Sequence, residues 1–287
     1  MTKLALGTAS FGMPYGIAGN PLMSVQEMTQ ILDHAKAHGV TLLDTAPVYG
    51  EAEMRLGNYG MHDWQVITKL PPIPFDCDDV KSWVCRTVRG SLERLRVPRL
   101  HALLLHRPMD LLGPHGEALI PALLLLKRQN IVKHLGVSIN SPEELDALWA
   151  SSTHFPVDLV QSPFNVLDRR LADSGWLTKL HEAGIQVHVR SVFLQGLLLQ
   201  YPKPNKFDRW KGVWARWEDY LDVNDRTPLQ ACLEFALSYP QIHRVVVGVD
   251  SDSQLTNIVE AMSPPGYPSF LIDDALDLIT PSRWKDL

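Results

Sequence analysis

Residues 41–50 read Thr41-Leu42-Leu43-Asp44-Thr45-Ala46-Pro47-Val48-Tyr49-Gly50. The stretch begins as a buried strand and breaks into a loop at Pro47, since proline has no N–H to give a sheet ladder. Asp44 therefore falls at the carboxyl end of the strand, and Tyr49 on the loop just above it. An acid and a phenol are brought together by local chain geometry alone.

The same grammar recurs on both sides. Residues 4–8 read as a strand. Ser24 caps a helix that runs through Ile31, Leu32 and Ala35 and stops at His38-Gly39, where glycine suits the position after a helix end. After the strand at 41–44 comes a helix at 51–59, then a strand at 64–69 closed by Leu70-Pro71-Pro72. Residues 78–95 place Val80, Val84, Val88, Leu92 and Leu95 on one helical stripe. Strand 100–105 ends at His106, helix 116–129 follows, and strand 132–137 leads to Ser138. Ser141-Pro142-Glu143-Glu144 opens a helix with a serine cap and a proline at its first position. Strand 157–160, helix 174–183 ended by Gly184, and strand 185–189 come next. An irregular stretch from about 191 to 227 carries Trp210, Trp214 and Trp217. Helix 228–239, strand 245–247, helix 251–262 and a last helix at 270–279 complete the chain.

These units predict a (β/α)8 TIM barrel occupying residues 1–287 as a single domain, with a long loop at about 191–227 after strand 7. The strands are nearly all apolar, as parallel strands buried on both faces must be. A doubly wound open sheet is the alternative. It lacks support because the glycines at 7, 12 and 16 do not match G-x-G-x-x-G after the first strand.

Composition narrows the function classes. Of 287 residues, 45% are hydrophobic and 21% charged, enough for one large core; the net charge of −5 and pI near 6.1 give no electrostatic footprint for nucleic acid. No apolar run approaches the roughly 18 residues of a membrane span, and the amino terminus is too short and too mixed for a signal peptide. Cys77, Cys85 and Cys232 lack metal spacing and read as reduced thiols, so a cytoplasmic location is expected.

In a barrel the chemistry sits on the loops after the strands. The residues there are Ser10/Phe11, Asp44, Lys69, His106, Ser138, Gln161, Arg190 and Gly248. So many polar side chains directly after apolar runs exceed what a purely structural barrel needs. Three of them, together with Tyr49 on the loop after strand 2, have the properties that carbonyl reduction requires. Hydride transfer leaves charge on the carbonyl oxygen, and a proton donor must meet it. A phenol, with an ordinary pKa of about 10, is made a better acid by a neighbouring ammonium. A carboxylate holds the ammonium in place, and an imidazole can donate to the carbonyl oxygen. Tyr49, Lys69, Asp44 and His106 supply those groups after strands 2, 3 and 4.

Asp44, Tyr49, Lys69 and His106, in the contexts LLDTAPVYGEAEMRLG, VITKL and LLLHRP, resemble the tetrad of the aldo-keto reductase family. The resemblance covers essentially the whole chain, from LGTASFG through LGVSINSPEEL to VVVGVDSDSQL. It implies that Tyr49 is the proton donor, that Lys69 and Asp44 tune it, and that His106 orients the carbonyl. It also implies NADP(H) or NAD(H), bound extended across the barrel mouth, and a small-molecule carbonyl or alcohol substrate, with a sugar-derived carbonyl as one candidate. Ser138, Asn140 and Gln161 match residues that hold the nicotinamide carboxamide, although Ile139 separates the first two. Arg190 stands where the family often has a stacking tyrosine, and an arginine plane can stack on a ring. Ser191, Phe193, Gln195, Gly196 and Leu197 would line the pyrophosphate. After the last strand, Gly248 and Gln254 lie where many members carry a cationic clamp for a 2′-phosphate; Asp250 and Asp252 are close by, so the choice between NADPH and NADH stays open.

Each residue also has an ordinary explanation. Asp44 and Lys69 could be a structural ion pair, Tyr49 a loop tyrosine, His106 a satisfied strand-end histidine. His34 and His38, four apart on a helix, could hold a metal but lack a third ligand. The tryptophans of the long loop suit packing on one helical face or a substrate contact, and Phe11, Tyr15, Pro47 and Val48 are further wall candidates. Two rival functions are a nicotinamide-binding redox sensor with little turnover and a Schiff-base lyase using Lys69.

Overall fold

The structure, a computed structural model, describes residues 2–17, 21–152, 155–262 and 276–286. Eight parallel strands close into a barrel in chain order: β1 (Leu4–Gly7), β2 (Leu42–Asp44), β3 (Gln65–Leu70), β4 (Leu100–Leu105), β5 (Val132–Ser138), β6 (Leu159–Pro163), β7 (Gln186–Arg190) and β8 (Arg244–Gly248). Leu4, Ala5, Leu6 and Gly7 of β1 pair with Val245, Val246, Val247 and Gly248 of β8. That pairing is the closure an open sheet would lack, and the expected (β/α)8 fold is the observed one.

Side chains alternate along each strand. Ala5, Leu42, Ile67, Ala102, Leu104, Leu159 and Val246 form a small cluster inside the barrel. Their neighbours, among them Leu6, Leu43, Val66, Leu103, Val160 and Val245, belong to the larger core beneath the helices. Two residues beyond the inner cluster, toward the strands' carboxyl ends, the same parity reaches Asp44 from Leu42, Lys69 from Ile67, His106 from Leu104 and Gln161 from Leu159. The inner core and the candidate site are successive layers of one inward-facing set. Gly136, of the same parity as Ser138, is required by crowding: a Cβ there would lie 2.1 Å from the Leu159 carbonyl oxygen and 2.8 Å from Leu104 Cδ2.

The helices start where their caps direct. Ser24 accepts from the Glu27 N–H at 3.1 Å before the helix Val25–Ala37. Ser141 and Thr227 form capping boxes with Glu144 and Gln230, each followed by a proline, ahead of Pro142–Ala150 and Pro228–Leu237. Several boundaries move. β6 begins at Leu159 rather than at 157, although the Asp158 backbone already bonds the Leu135 carbonyl and the Gln186 N–H. The helix expected from 174 starts at Trp176, after a separate turn of helix at Arg170–Asp173 and Gly175 at φ +80°.

The largest difference is the stretch after β7. The sequence predicts an irregular loop; the chain forms 3-10 turns at Leu194–Leu199 and Asn205–Trp210 and a helix at Lys211–Val223. Tight turns have no 3.6-residue stripe to read, and they mask the helix that follows. The last expected helix, 270–279, lies outside the described residues up to 275; 276–279 form a turn before a 3-10 segment at Pro281–Asp286. Among the described residues no helix is long and apolar enough to cross a membrane. Cys77, Cys85 and Cys232 are free thiols.

Candidate active site

The mouth of the barrel brings Asp44, Lys69 and Tyr49 together. Lys69 is buried and its ammonium has three acceptors: Asp44 Oδ2 at 2.7 Å, the Thr45 carbonyl at 3.1 Å and the Tyr49 phenol oxygen at 3.4 Å. An ammonium has three hydrogens to give, and all are placed. Because the phenol oxygen accepts from Lys69, its own hydrogen is left for another partner. Burial alone would pull the Lys69 pKa down; charge and hydrogen bonding from Asp44 and Tyr49 outweigh it, and the net displacement is upward. A lysine held protonated in this way is a poor nucleophile, which removes the motive for a Schiff-base reading.

The backbone fixes these side chains from several sides. The Asp44 carbonyl accepts from Thr8 N–H and Thr8 Oγ1, at 3.0 and 3.1 Å. Glu51 N–H donates to the Gly12 carbonyl, and a Cβ on Gly12 would lie 1.9 Å from the Tyr49 carbonyl oxygen. Only glycine lets the loop after β1 lie against the turn that carries Tyr49. The helix Ala52–Tyr59 is then tied to β3 by Glu53, which is 1% exposed and accepts from Thr68 Oγ1 at 2.6 Å and from Arg94 Nε at 2.8 Å. Thr68 precedes Lys69, so the phenol and the ammonium are carried by mutually braced elements.

His106 directly follows β4, its N–H bonded to the Leu70 carbonyl. Burial first, then the Lys69 and Arg190 cations, push its imidazole down to about 4, against an opposing pull from Asp44. At neutral pH the ring is uncharged and can donate one N–H.

A groove of about 1450 Å³ of non-atom space, open solvent at its mouth included, runs from Asp44 and Tyr49 past 190–200 to Gly248, Asp250, Gln254 and Asn257. Tyr15, Phe193, Leu229 and Ile258 give it apolar wall. Its middle is edged by left-handed backbone, with Ser191, Leu194 and Gln195 at φ +58°, +49° and +55° and Gly196 at +90°. Such a backbone, unfavourable for residues with a side chain, is held in place by surrounding bonds: Ile17 N–H to the Gln195 carbonyl and Asn165 Nδ2 to the Ser191 carbonyl. At the far end Ser251 caps the helix Asp252–Glu260.

Of the residues expected to hold a dinucleotide, Arg190, Ser191, Phe193, Gln195, Gly196, Gly248 and Gln254 line this groove. Leu197 does not; its side chain is buried in the core. Ser138 and Gln161 are also buried, at 2% and 0% exposure, and bond inside the protein: Ser138 Oγ to Gln161 Oε1 at 3.3 Å, and Gln161 Nε2 to Asp44 Oδ1 at 2.8 Å. Asn140 is exposed, but its side-chain oxygen accepts from Arg190 Nη2 at 2.9 Å. Arg190 also donates to the Ile139 carbonyl at 3.0 Å, so its guanidinium is tethered to the loop after β5.

Several positions matter that the sequence reading passed over. Asn165 and Asp168, each 1% exposed, organise the loop after β6: Asn165 Oδ1 accepts from Leu167 and Asp168 N–H, and Asp168 pairs with Arg170, which reaches the Asn140 carbonyl. Their signal in the sequence was slight, two polar residues set among the apolar Phe164, Val166 and Leu167. Phe11 is fully buried, Tyr15 lines the groove, and Val48 is exposed. Trp214 and Trp217 are buried, with indole N–H groups on the Phe207 and Leu198 carbonyls; none of the three loop tryptophans lines the groove. His34 bonds Asp252 at 2.6 Å and His38 bonds the His34 carbonyl; among the described residues no cluster of three metal-binding side chains occurs.

Residues 3–265 match the model of the Aldo/keto reductase family. The aldo-keto reductase str7 of Strobilurus tenacellus is 30% identical over 210 residues, 71% of this chain and 61% of that protein; the matched part spans less than two thirds of that relative. The "Probable voltage-gated potassium channel subunit beta" of Arabidopsis thaliana is 24% identical over 98% of this chain and 95% of its own. Among solved structures, the aldo-keto reductase AKR11C1 of Bacillus halodurans superposes with a TM-score of 0.72 over 97% of this chain and 91% of that one, at 22% identity, a likeness of fold.

Proposed function

The chain belongs to the aldo/keto reductase family, and from that membership we propose that it is an oxidoreductase interconverting an aldehyde or ketone and the corresponding alcohol with NADH or NADPH. The observation that carries the reading is the buried Lys69 ammonium, which joins the Asp44 carboxylate to the Tyr49 phenol oxygen.

The groove has the features a dinucleotide needs. Apolar wall from Phe193, Leu229 and Ile258 suits flat rings, the left-handed backbone at Ser191 and at 194–196 suits phosphate, and the capped start of Asp252–Glu260 favours negative charge nearby. A bound reduced nicotinamide supplies hydride to the substrate carbonyl. The protein's part is the proton. Tyr49 gives its hydroxyl hydrogen to the carbonyl oxygen as charge develops there. Lys69 already donates to that phenol oxygen and stabilises the negative charge left on it. Asp44 keeps the ammonium charged and oriented. His106, uncharged, donates an N–H to the same carbonyl oxygen and fixes its direction. A positioned donor of this kind is worth roughly 10²–10⁴ in rate.

At the far end of the groove the side chains are Asp250, Gln254 and Asn257, with Asp252 beside them. A ribose with a free 2′-hydroxyl suits this end better than one bearing a phosphate, which favours NADH.

The test is Tyr49→Phe. Dinucleotide binding should hold within about twofold while carbonyl turnover falls by about 10²–10⁴; normal turnover would remove Tyr49 from the role of acid. A nicotinamide-binding sensor is the second reading, raised by the channel-subunit relative. Tight dinucleotide binding with no turnover across a broad carbonyl panel would favour it.

A further inference from the structure

Arg190 brings an unbalanced positive charge to one end of the groove. It is the last residue of β7, and its carbonyl accepts from the Phe164 N–H at 3.0 Å, so the strand fixes its place. It lines the groove together with Asp44, Tyr49 and Tyr15. The partners of its guanidinium are neutral oxygens, Ser191 Oγ, the Ile139 carbonyl and Asn140 Oδ1. The Asp44 carboxylate is paired instead with Lys69. The charge of Arg190 reaches its neighbours. After burial and Lys69, it pushes the His106 imidazole down, and it opposes the rise that burial and Tyr49 impose on the Tyr15 phenol. At neutral pH His106 is uncharged and Asp44 offsets Lys69, so the charge left over among these groups is that of Arg190.

The redox ring of a dinucleotide has to lie at this same end. Reduction adds a hydride to the carbonyl carbon and a proton to its oxygen, and Tyr49 holds that proton. The ring that gives the hydride must therefore reach the same carbonyl. It is neutral when reduced, and giving up a hydride leaves it with one positive charge.

We infer that Arg190 makes the groove discriminate between oxidation states of the dinucleotide, holding the reduced form more tightly than the oxidised form by repulsion between like charges. This rests on the proposed oxidoreductase reading. The ring and the guanidinium repel only after the hydride has left. Every other part of the dinucleotide is the same in both forms and cancels in the ratio of their Kd values. The effect follows from a charge and its place on β7, and it persists if the guanidinium exchanges its present partners when the groove fills. Its consequence is that the protein loads the reduced dinucleotide and sheds the oxidised one. By linkage, the same charge draws the bound hydride-transfer equilibrium back toward the reduced ring by the same factor.

The experiment measures Kd for NADH and NAD+, and for NADPH and NADP+, by calorimetry at pH 7.5. The proteins are the wild type, Arg190→Gln and Arg190→Lys. In the pair that the wild type binds, the oxidised form should be about tenfold weaker or more. Arg190→Gln should cut that ratio about tenfold, or about 1.4 kcal/mol, the scale of one unit-charge pair in a partly solvated site. Arg190→Lys keeps the charge without the plane and should hold the ratio within about threefold of wild type.

A wild-type ratio near one would overturn the inference. So would an Arg190→Gln variant in which both Kd values rise together and the ratio stays put, because Arg190 would then act by contact and not by charge. Equal loss of the ratio in Arg190→Lys and Arg190→Gln would overturn it as well. Dinucleotide binding with aldehyde turnover that Tyr49→Phe abolishes upholds the underlying reading whichever way the ratios fall. A wild type that binds none of the four dinucleotides sinks that reading, and this inference with it.

Discussion

Lys69→Met puts the energetics of the mouth to the test. The substitution conserves length and apolar stem and deletes one ammonium. Three hydrogen bonds go with it, to Asp44, Thr45 and Tyr49. The larger consequence falls on Asp44. Its side chain is only 6% exposed, and its remaining donor would be Gln161. Stranding one member of a buried ion pair costs about 3–5 kcal/mol. A protein of ordinary stability, about 5–15 kcal/mol in all, loses a large share of it. Removing both charges should cost much less, because Asp44→Asn leaves an amide that still has hydrogen-bonding capacity. The double variant Asp44→Asn/Lys69→Met should therefore be more stable than Lys69→Met alone by roughly 2 kcal/mol or more. Urea denaturation at pH 7, followed by tryptophan fluorescence, reads both, provided the m-values agree. The function readout should part from the stability readout: turnover should stay lost in the double variant while stability returns. A loss below about 1 kcal/mol for Lys69→Met, or strictly additive effects, would refute a closely coupled buried pair.

Two further outcomes follow from other parts of the molecule. Burial, helped by Arg244 and neighbouring histidines, pushes the His188 imidazole down to about 3. The unfolded chain takes up a proton below the ordinary value of 6.5 while the native state does not, so His188 lowers stability as pH falls from 6.5 toward 3. At pH 5 its share is about 2 kcal/mol, and His188→Leu should reduce the stability difference between pH 7.5 and pH 5 by about that much in urea melts; an unchanged difference would exonerate His188. At the groove's far end, Gln254→Arg should strengthen NADPH binding about tenfold relative to NADH, since it adds a cation where wild type has Asp250 and Asp252; equal effects on both Kd values would place the 2′-position elsewhere.

Much of the fold was legible because parallel strands buried on both faces announce themselves as apolar runs, and because the first polar residue after each run marks the barrel mouth. Asp44, Lys69, His106, Ser138, Gln161 and Arg190 were all found that way, and parity places them inward. What the pattern lacks is direction within the mouth. Nothing in the string separates a glutamine facing the groove from one facing Asp44; that depends on the barrel's stagger, which pairs Ser138 with Gln161 and Gln161 with His188. Leu197 illustrates the same limit, since a chain with several left-handed residues in succession does not follow any period. The helix Lys211–Val223 was hidden for a related reason. Its stripe of Val213, Trp214, Trp217 and Leu221 is regular, but the tight turns before it are not.

Polarity at a strand end is by itself a poor guide to which end of a barrel does chemistry. Polar side chains occur at both. At the mouth, Asp44, Lys69, Gln161 and Ser138 give and accept in a connected set, and the phenol of Tyr49 is the member whose hydrogen is left for the groove. At the opposite end, His101 and His134 stack edge to face 5.1 Å apart, and His188 lies 1% exposed with its Nδ1 unbonded among the described residues. Burial pushes His101, His134, His188 and His243 downward. These imidazoles are uncharged at neutral pH and surrounded by Lys133, Arg99 and Arg244, so a proton is expelled there and no group is poised to deliver one. The mouth holds a charged pair whose ammonium hydrogens are all assigned, and the Tyr49 hydroxyl hydrogen is left beside the groove. The difference between the two ends lies in which hydrogens remain unassigned after the protein's own bonds are made, and the proposed transfer of the Tyr49 hydrogen rests on that difference.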